Sequence, residues 1–232
     1  MTAYFGRRYL RSVKRTVVLF AGLLAGCASA TPPAGTIEPG VEEQAVAVTR
    51  PENRLHVTFN WTFTEQQSRF SGEGATRLEP PYKARLDLFG PRGEAYISAA
   101  LVEYELRLPP GAAADLLPPP TLLWSALGVL LPPQGATLTL ATRTGASAQL
   151  EYRDSNGRWR FSLENDRLRR AEWEGGEGGG RRTVEIRAWG ERNVPSQVVY
   201  RDWLAFRELT LTLNQVEDAD PFPPDTWYPG RY

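Results

Sequence analysis

The side chains best suited to chemistry are scarce in this 232-residue chain, which has one cysteine, Cys27, and one histidine, His56. A thiol is a nucleophile and an acceptor of acyl groups, and Cys27 closes the run Leu24-Ala25-Gly26-Cys27. Upstream, Arg7, Arg8, Arg11, Lys14 and Arg15 make a positive start, and residues 16–24 make a short apolar stretch. The stretch is too short to cross a bilayer as a helix, which takes about 20 residues. Small residues then admit a peptidase to the backbone before Cys27, as at the end of an export signal. A lone cysteine in an exported chain forms no internal disulfide, so a modified thiol is expected. With that thiol occupied and no second histidine, no zinc site is expected. Catalysis finds little support. No Gly-x-Ser-x-Gly elbow occurs, and the run from Gly175 to Arg182 lacks the Gly-Lys-Ser/Thr ending of a phosphate cradle, so it reads as a hairpin loop. Glu103, Glu105, Asp218 and Asp220 sit in alternating or terminal settings typical of solvated surface, although distant carboxylates can converge in a fold. We therefore expect no enzyme, no catalytic residue, no metal and no cofactor.

Residues 24–27 with their basic and apolar lead resemble the bacterial lipobox. The resemblance implies that residues 1–26 are a signal peptide that is cut away, that the Cys27 thiol is diacylated, and that its new α-amine is usually acylated too. The alternatives are an ordinary cleaved signal, or a buried apolar start with Cys27 a free thiol. Acyl chains at about 0.8 kcal/mol per buried methylene would hold the protein at a membrane. Ala28, where an aspartate would favour retention at the inner membrane of two-membrane bacteria, implies an outer-membrane anchor at the periplasmic face. Arg7-Arg8 leaves export through the general or the twin-arginine route open.

Residues 1–26 carry five of the 27 basic residues and none of the 27 acidic ones, which leaves 22 against 27 in a mildly acidic mature chain. No basic patch interleaved with aromatics survives, which argues against a nucleic-acid partner. Seven Trp, nine Tyr and nine Phe supply material for one sizeable core. Residues 27–50 hold Thr31-Pro32-Pro33 and Pro39-Gly40 with little periodicity and read as an extended tether, with residues 41–48 a weak helix candidate. Residues 218–232 form a Pro-rich tail with Phe222, Trp227, Tyr228 and Tyr232; it either lies back on the body or stays a flexible end.

Between these ends, over residues 51–217, period-two alternation dominates. Leu55, Val57, Phe59, Trp61 and Phe63 alternate with polar residues, as in a strand with one apolar face. The pattern returns at Leu86 and Leu88, at Ile97, Ala99 and Leu101, at Leu138 and Leu140, at Trp159, Phe161 and Leu163, at Val184 and Ile186, and at Leu209, Leu211 and Leu213. Hairpin chemistry separates the runs, for example Pro91-Arg92-Gly93 and Asp154-Ser155-Asn156-Gly157. The fold class is therefore mainly β, a largely antiparallel sheet with one apolar side. Few helices are available to cover it. A short turn or helix at 113–117 and, after prolines 118–120, a second one capped by Thr121 and carrying Leu122, Leu123, Trp124, Leu127 and Leu130 are the candidates. A helix apolar on most sides is buried or plugs a cavity.

The ordered set of lipobox, polar tether, strand with Phe59-Asn60-Trp61, strand-turn-strand unit around Leu88-Phe89-Gly90-Pro91-Arg92-Gly93, and proline-interrupted Leu/Trp segment resembles the outer-membrane lipoprotein receptor LolB and, more loosely, the wider LolA/LolB-like group, over residues 52–217. The resemblance implies a curved antiparallel half-barrel whose concave apolar face is covered by short helices and encloses a cavity for acyl chains. It implies a role in localising lipoproteins to the outer membrane, with lipoproteins delivered by a LolA-like periplasmic carrier, and a monomer with an accessible mouth. Trp61, Phe63, Leu86, Leu88, Ile97, Trp124 and Leu127 are then expected to line the acyl cavity, although the same alternation is that of a dry core. The turn with Phe89 and Arg92 is expected to face the membrane. There the group carries an exposed hydrophobic residue where this chain has Arg92, so the turn reads equally as a solvated hairpin. Another lipid or hydrophobic ligand, or a structural lipoprotein with a filled half-barrel, are the alternative roles.

Overall fold

The computed structural model describes residues 35–112 and 117–230. The lipobox with Cys27, the candidate turn at 113–116, and Tyr232 lie outside these residues. The described residues all fall within one compact unit.

The runs read at 55–63, 86–88 and 97–101 form β1 (Leu55–Glu65), β3 (Lys83–Phe89) and β4 (Ala95–Val102), which leads into a short β5 (Glu105–Arg107). Between them β2 (Ser68–Glu79) runs straight through Ser71-Gly72-Glu73-Gly74, where hairpin chemistry suggests a turn, because its glycines make room for side chains of β1. After the Leu/Trp-rich segment come β6 (Thr137–Thr144), β7 (Ser147–Arg153), β8 (Gly157–Glu164), β9 (Arg167–Gly175), β10 (Arg181–Trp189), β11 (Pro195–Asp202) and β12 (Arg207–Asp218). All twelve belong to one sheet in the order β5-β4-β3-β2-β1-β12-β11-β10-β9-β8-β7-β6, with every neighbouring pair antiparallel. The sheet is curved and unclosed. Two meanders, β1–β5 and β6–β12, are thus joined edge to edge where the first strand pairs the last.

Period-two patterning decides which face is which. Leu55, Val57, Phe59, Trp61 and Phe63 are all buried on the inner face of β1, and the register carries that face to Leu78, to Leu86 and Leu88, and to Ile97, Ala99 and Leu101. In the second meander, Leu150, Tyr152, Phe161, Ala171, Val184, Ile186, Val198 and Tyr200 continue it. On β6 a bulge between Leu138 and Leu140 breaks the simple alternation, so Leu138 and Ala141 serve the core rather than Leu138 and Leu140.

Two short helices, α1 (Val41–Thr49) and α2 (Pro120–Ala126), pack on this face. The extended tether expected through residue 50 does not describe residues 36–50. Ile37 bridges Ala141 beside β6, and α1 buries Val41, Ala45 and Thr49, spaced one turn apart, with Glu42 and Glu43 at its positive end. The Thr49 hydroxyl donates to the Ala45 carbonyl at 2.9 Å and accepts the Leu130 amide at 3.0 Å, which ties α1 to the segment after α2. Thr121 is not the cap expected of it. The helix starts one residue earlier, with Pro120 at its first position, where the missing N–H is no loss, and it stops at Ala126, leaving Leu130 outside it.

The outer face is polar and laced with ion pairs. Glu172 receives Arg160, Arg170 and Arg181 at 2.6–2.9 Å, and pairs Arg182–Asp202, Arg201–Glu208 and Arg207–Glu65 follow across β10, β11, β12 and β1. The C-terminal tail lies back on the outer face of β3, β4 and β5. Arg85 and Arg107 donate to the carbonyls of Thr226 and Trp227 at 2.9 and 3.2 Å, and Trp227 is buried.

Candidate functional site

The inner face is tightest where β1 meets β2. Gly72 and Gly74 leave room on β2 for the rings of Trp61 and Phe59. A methyl group on Gly74 would lie 2.4 Å from the Phe59 ring, and one on Gly72 3.1 Å from the Trp61 indole nitrogen. That indole donates to the carbonyls of Glu73 and Phe89 at 3.0 and 3.1 Å, so the ring is fixed as well as buried.

Helix α2 works as a plug. Thr121 through Ala126 are all buried, as befits a segment apolar on every side, and the Trp124 indole donates to the Glu103 carbonyl at 2.7 Å. Prolines at 118–120 and 132–133 bound the segment, and Gly128, at φ +84°, turns the chain against Trp189 and Pro195 just after Leu127.

Beyond the plug, the inner face of β12 is incompletely covered, and Leu211, Leu213 and Val216 are only half-buried. Here Val57, Phe59, Leu78, Ala126, Leu127, Pro195, Val198, Leu211 and Leu213 line an apolar cleft of about 30 Å³. Its one buried hydroxyl is that of Thr76, 1% exposed and without a hydrogen-bond partner. Leu78, Leu127 and Val194 also line a second, wetter cleft of about 170 Å³, whose other walls include Arg50, Glu52, Asn53, Arg192 and Asn193. The two lie side by side with Leu78, Leu127 and Val194 in their common wall: a polar mouth between the end of α1 and the β10–β11 connection, and an apolar throat over β1, β2, β11 and β12. Thirty cubic ångströms is the share of about one water, so the throat is nearly shut.

Two buried tyrosines mark how dry the rest of the interior is. Burial pushes the Tyr152 phenol far up, helped by its 2.8 Å hydrogen bond to Glu42, and burial together with Asp202 pushes Tyr200 up to about 12. Among the described residues no group of three or more His, Cys, Asp or Glu is arranged to hold a metal.

Of the residues expected to line an acyl cavity, Leu127 stands in the wall shared by both clefts. Trp61, Phe63, Leu86, Leu88, Ile97 and Trp124 line neither and are packed together in the core, at 6% exposure or less. The cleft walls from β11 and β12 were not among those expected, although Leu209, Leu211 and Leu213 showed the same alternation as β1. Phe89 ends β3 half-buried, and Arg92 is exposed in a tight turn where Gly93 donates to the Gly90 carbonyl at 2.9 Å and the Arg92 amide donates to Glu94 at 2.9 Å. Large exposed apolar side chains occur nearby, at Phe70, Tyr96, Trp203, Leu204 and Phe206.

No family model matches the sequence, and no curated protein matches it. Among solved structures, a LolA superfamily protein from Nitrosomonas europaea aligns with a TM-score of 0.57 at 10% identity, over 81% of this chain and 95% of its own. A DUF1329 family protein from Desulfovibrio piger aligns at 0.49 and 8% identity, over 81% and 95% of the two chains. An outer membrane lipoprotein-sorting protein domain from Vibrio parahaemolyticus aligns at 0.47 and 8%, over 80% and 94%. At 10% identity the first likeness is one of fold. This chain has the LolA/LolB-like fold: an unclosed antiparallel half-barrel with two short helices on its apolar concave face.

Proposed function

We propose that this protein binds the acyl chain of an amphiphile in the groove between α2 and strands β1, β2, β11 and β12, as a lipid-anchored protein of the bacterial periplasm. The observation that carries the reading is the throat itself, apolar on every side but for one buried hydroxyl without a partner, and sharing wall residues Leu78, Leu127 and Val194 with a polar mouth. An unpartnered buried hydroxyl costs about 1–3 kcal/mol, and a ligand ester or carboxyl oxygen at that depth offsets the cost. Arg50 and Arg192 stand at the mouth, where an anionic or zwitterionic head group would sit. A full chain enters when the segment around Leu127 and Gly128 moves aside. Each methylene then buried contributes about 0.8 kcal/mol.

Cys27 is the residue proposed to be acylated, with residues 1–26 removed on export, and the outer membrane, periplasmic face, is the proposed location. The proposed cargo is the acyl portion of a lipoprotein, received from a LolA-like periplasmic carrier by a monomeric protein, and no catalysis is involved.

The test is native mass spectrometry with lipid extraction on the chain from Ala28 to Tyr232, purified from the periplasm. Acyl species should co-purify, and they should be lost in Leu213→Asp, whose half-buried position spares the core. A ligand-free protein that also takes up no fluorescent fatty acid would overturn the reading. Palmitate labelling in cells, lost on Cys27→Ser, tests the anchor. Rescue of cells depleted of their own lipoprotein receptor distinguishes lipoprotein cargo from another lipid.

A further inference from the structure

The turns of the sheet fall into two rims. One rim collects the β1–β2, β3–β4, β7–β8, β9–β10 and β11–β12 turns, as the pairings Glu65↔Ser68, Phe89↔Ala95, Arg153↔Arg158, Arg181↔Glu174 and Asp202↔Arg207 require. The other collects polar turns at Gly145, Asn165-Asp166 and Arg192-Asn193. Of the seven large apolar side chains exposed among the described residues, five stand at or beside the first rim: Phe70, Tyr96, Trp203, Leu204 and Phe206. Four consecutive apolar residues, Trp203-Leu204-Ala205-Phe206, make the whole tip of the β11–β12 hairpin, where a polar turn would ordinarily stand. The tip is held in shape. The Asp202 carboxylate accepts the amides of Leu204 and Ala205 at 3.1 Å each, Gln66 donates to the Phe206 carbonyl, and Arg181 and Arg201 lie against the Trp203 ring.

The geometry points to this rim, with the β11–β12 tip foremost, as a surface that docks on the interface of a lipid bilayer. Several features favour a membrane over a protein partner. The exposed side chains are Trp, Tyr, Phe and Leu, the types that settle at the headgroup boundary. Trp203, Leu204 and Phe206 stand on the β11–β12 turn, and Phe70 and Tyr96 stack on each other at the adjoining ends of β2 and β4. Behind the β11–β12 tip the arginines are neutralised, with Arg181 on Glu172, Arg182 on Asp202, Arg201 on Glu208 and Arg207 on Glu65, so shallow insertion of that tip buries none of them unpaired. The chain also enters from this side. Ile37 pairs parallel to β6, so Gly35 lies toward the Thr137 end of that strand, and Thr137 pairs Arg153 at the apolar rim. Cys27 is eight residues before Gly35, a contour of about 29 Å at most, short enough to keep an acyl-anchored body against the bilayer.

This surface is separate from the groove, and its test separates the two. The chain from Ala28, with no acyl group, is sedimented with phosphatidylcholine vesicles at low and at high salt. We expect binding that survives salt, because the insertion is led by the apolar β11–β12 tip and the arginines behind it are already paired. Leu204→Asp and Phe206→Asp, at side chains 63% and 75% exposed, should each lower the partition coefficient by about ten- to a hundredfold while melting temperature and fatty-acid uptake stay unchanged. Tyr228→Ser, at an exposed aromatic away from the rim, should leave partition unchanged. Absence of vesicle binding by the wild-type chain, binding that high salt abolishes, or binding that both rim variants retain would each overturn the inference, and capture of a protein in place of vesicles would assign the rim to a protein partner.

Discussion

Thr76→Val isolates the hydroxyl at the floor of the throat. Valine keeps the volume and the β-branched shape that suits β2, so neither packing nor strand preference changes appreciably. What changes is one oxygen, at a site 1% exposed with no partner, whose desolvation costs the ligand-free fold about 1–3 kcal/mol. Removing it should stabilise the delipidated protein by that amount. For a domain of this size each kcal/mol moves the melting temperature by about 2–4 °C, so an increase of roughly 2–12 °C is expected. Urea unfolding should show a higher midpoint with an unchanged slope, since the surface exposed on unfolding is the same. A melting temperature that stays put or falls would mean that the hydroxyl already has a partner in the ligand-free protein, and the argument from an unpaired group would fail with it.

Leu127→Trp should fill the wall shared by the two clefts and abolish fatty-acid uptake, measured by fluorescence, with little effect on melting temperature. Gly74→Ala would push a methyl group into the Phe59 ring and should lower stability by about 1–3 kcal/mol in urea titration. On the acid side, burial raises the Glu172 pKa, but hydrogen bonds from Arg181 and Arg170 outweigh it; burial likewise raises Asp202, and Arg182 with the Ala205 and Leu204 amides outweighs that, so both carboxyls sit below their usual values. Their contribution is present above the ordinary carboxylate range and lost as pH falls through the depressed values, so urea midpoints should drop below about pH 4, less steeply in Glu172→Gln. On the alkaline side, Tyr200 is pushed up to about 12, so its contribution is intact below pH 10 and is lost as pH climbs toward 12, which phenolate absorbance read beside unfolding would follow.

The parts of the fold legible in the sequence are those where one strand face is dry and the other wet. Leu55 through Phe63 alternate without a break, and the structure puts every odd member of that run in the core. The half-barrel followed from such runs together with the family resemblance, because alternation fixes a face and not a curvature. Helix α1 was harder to read, since it commits only Val41, Ala45 and Thr49 to the core, three residues whose spacing is diluted by six others. On β6 the bulge shifts the phase within a single strand, which no strict period can anticipate. The throat was partly legible, as Leu211 and Leu213 were visibly a strand face, but whether such a face is covered depends on how far α2 reaches, a tertiary fact. The apolar tip did have a local signal: Trp203-Leu204-Ala205-Phe206 falls between two strand runs, where turn residues belong.

The joint between β1 and β12 has a kinetic consequence. All other pairings link strands that are neighbours in sequence and can form as hairpins while the chain is still being made. At this joint, Arg207 meets Glu65 across 142 residues, so β1 acquires its second partner only when nearly the whole chain is present. Closing so long a loop is entropically expensive and sets a late, slow step in folding. Until then Phe59, Trp61 and Phe63 belong to a strand with one open edge, a template for pairing with another chain. Truncations that end before Arg207 should therefore aggregate even though the first meander is intact, whereas a chain that carries β12 closes its own edge. Late closure would also keep the chain loosely folded until its last strand is made, and would make that strand the point at which folding commits.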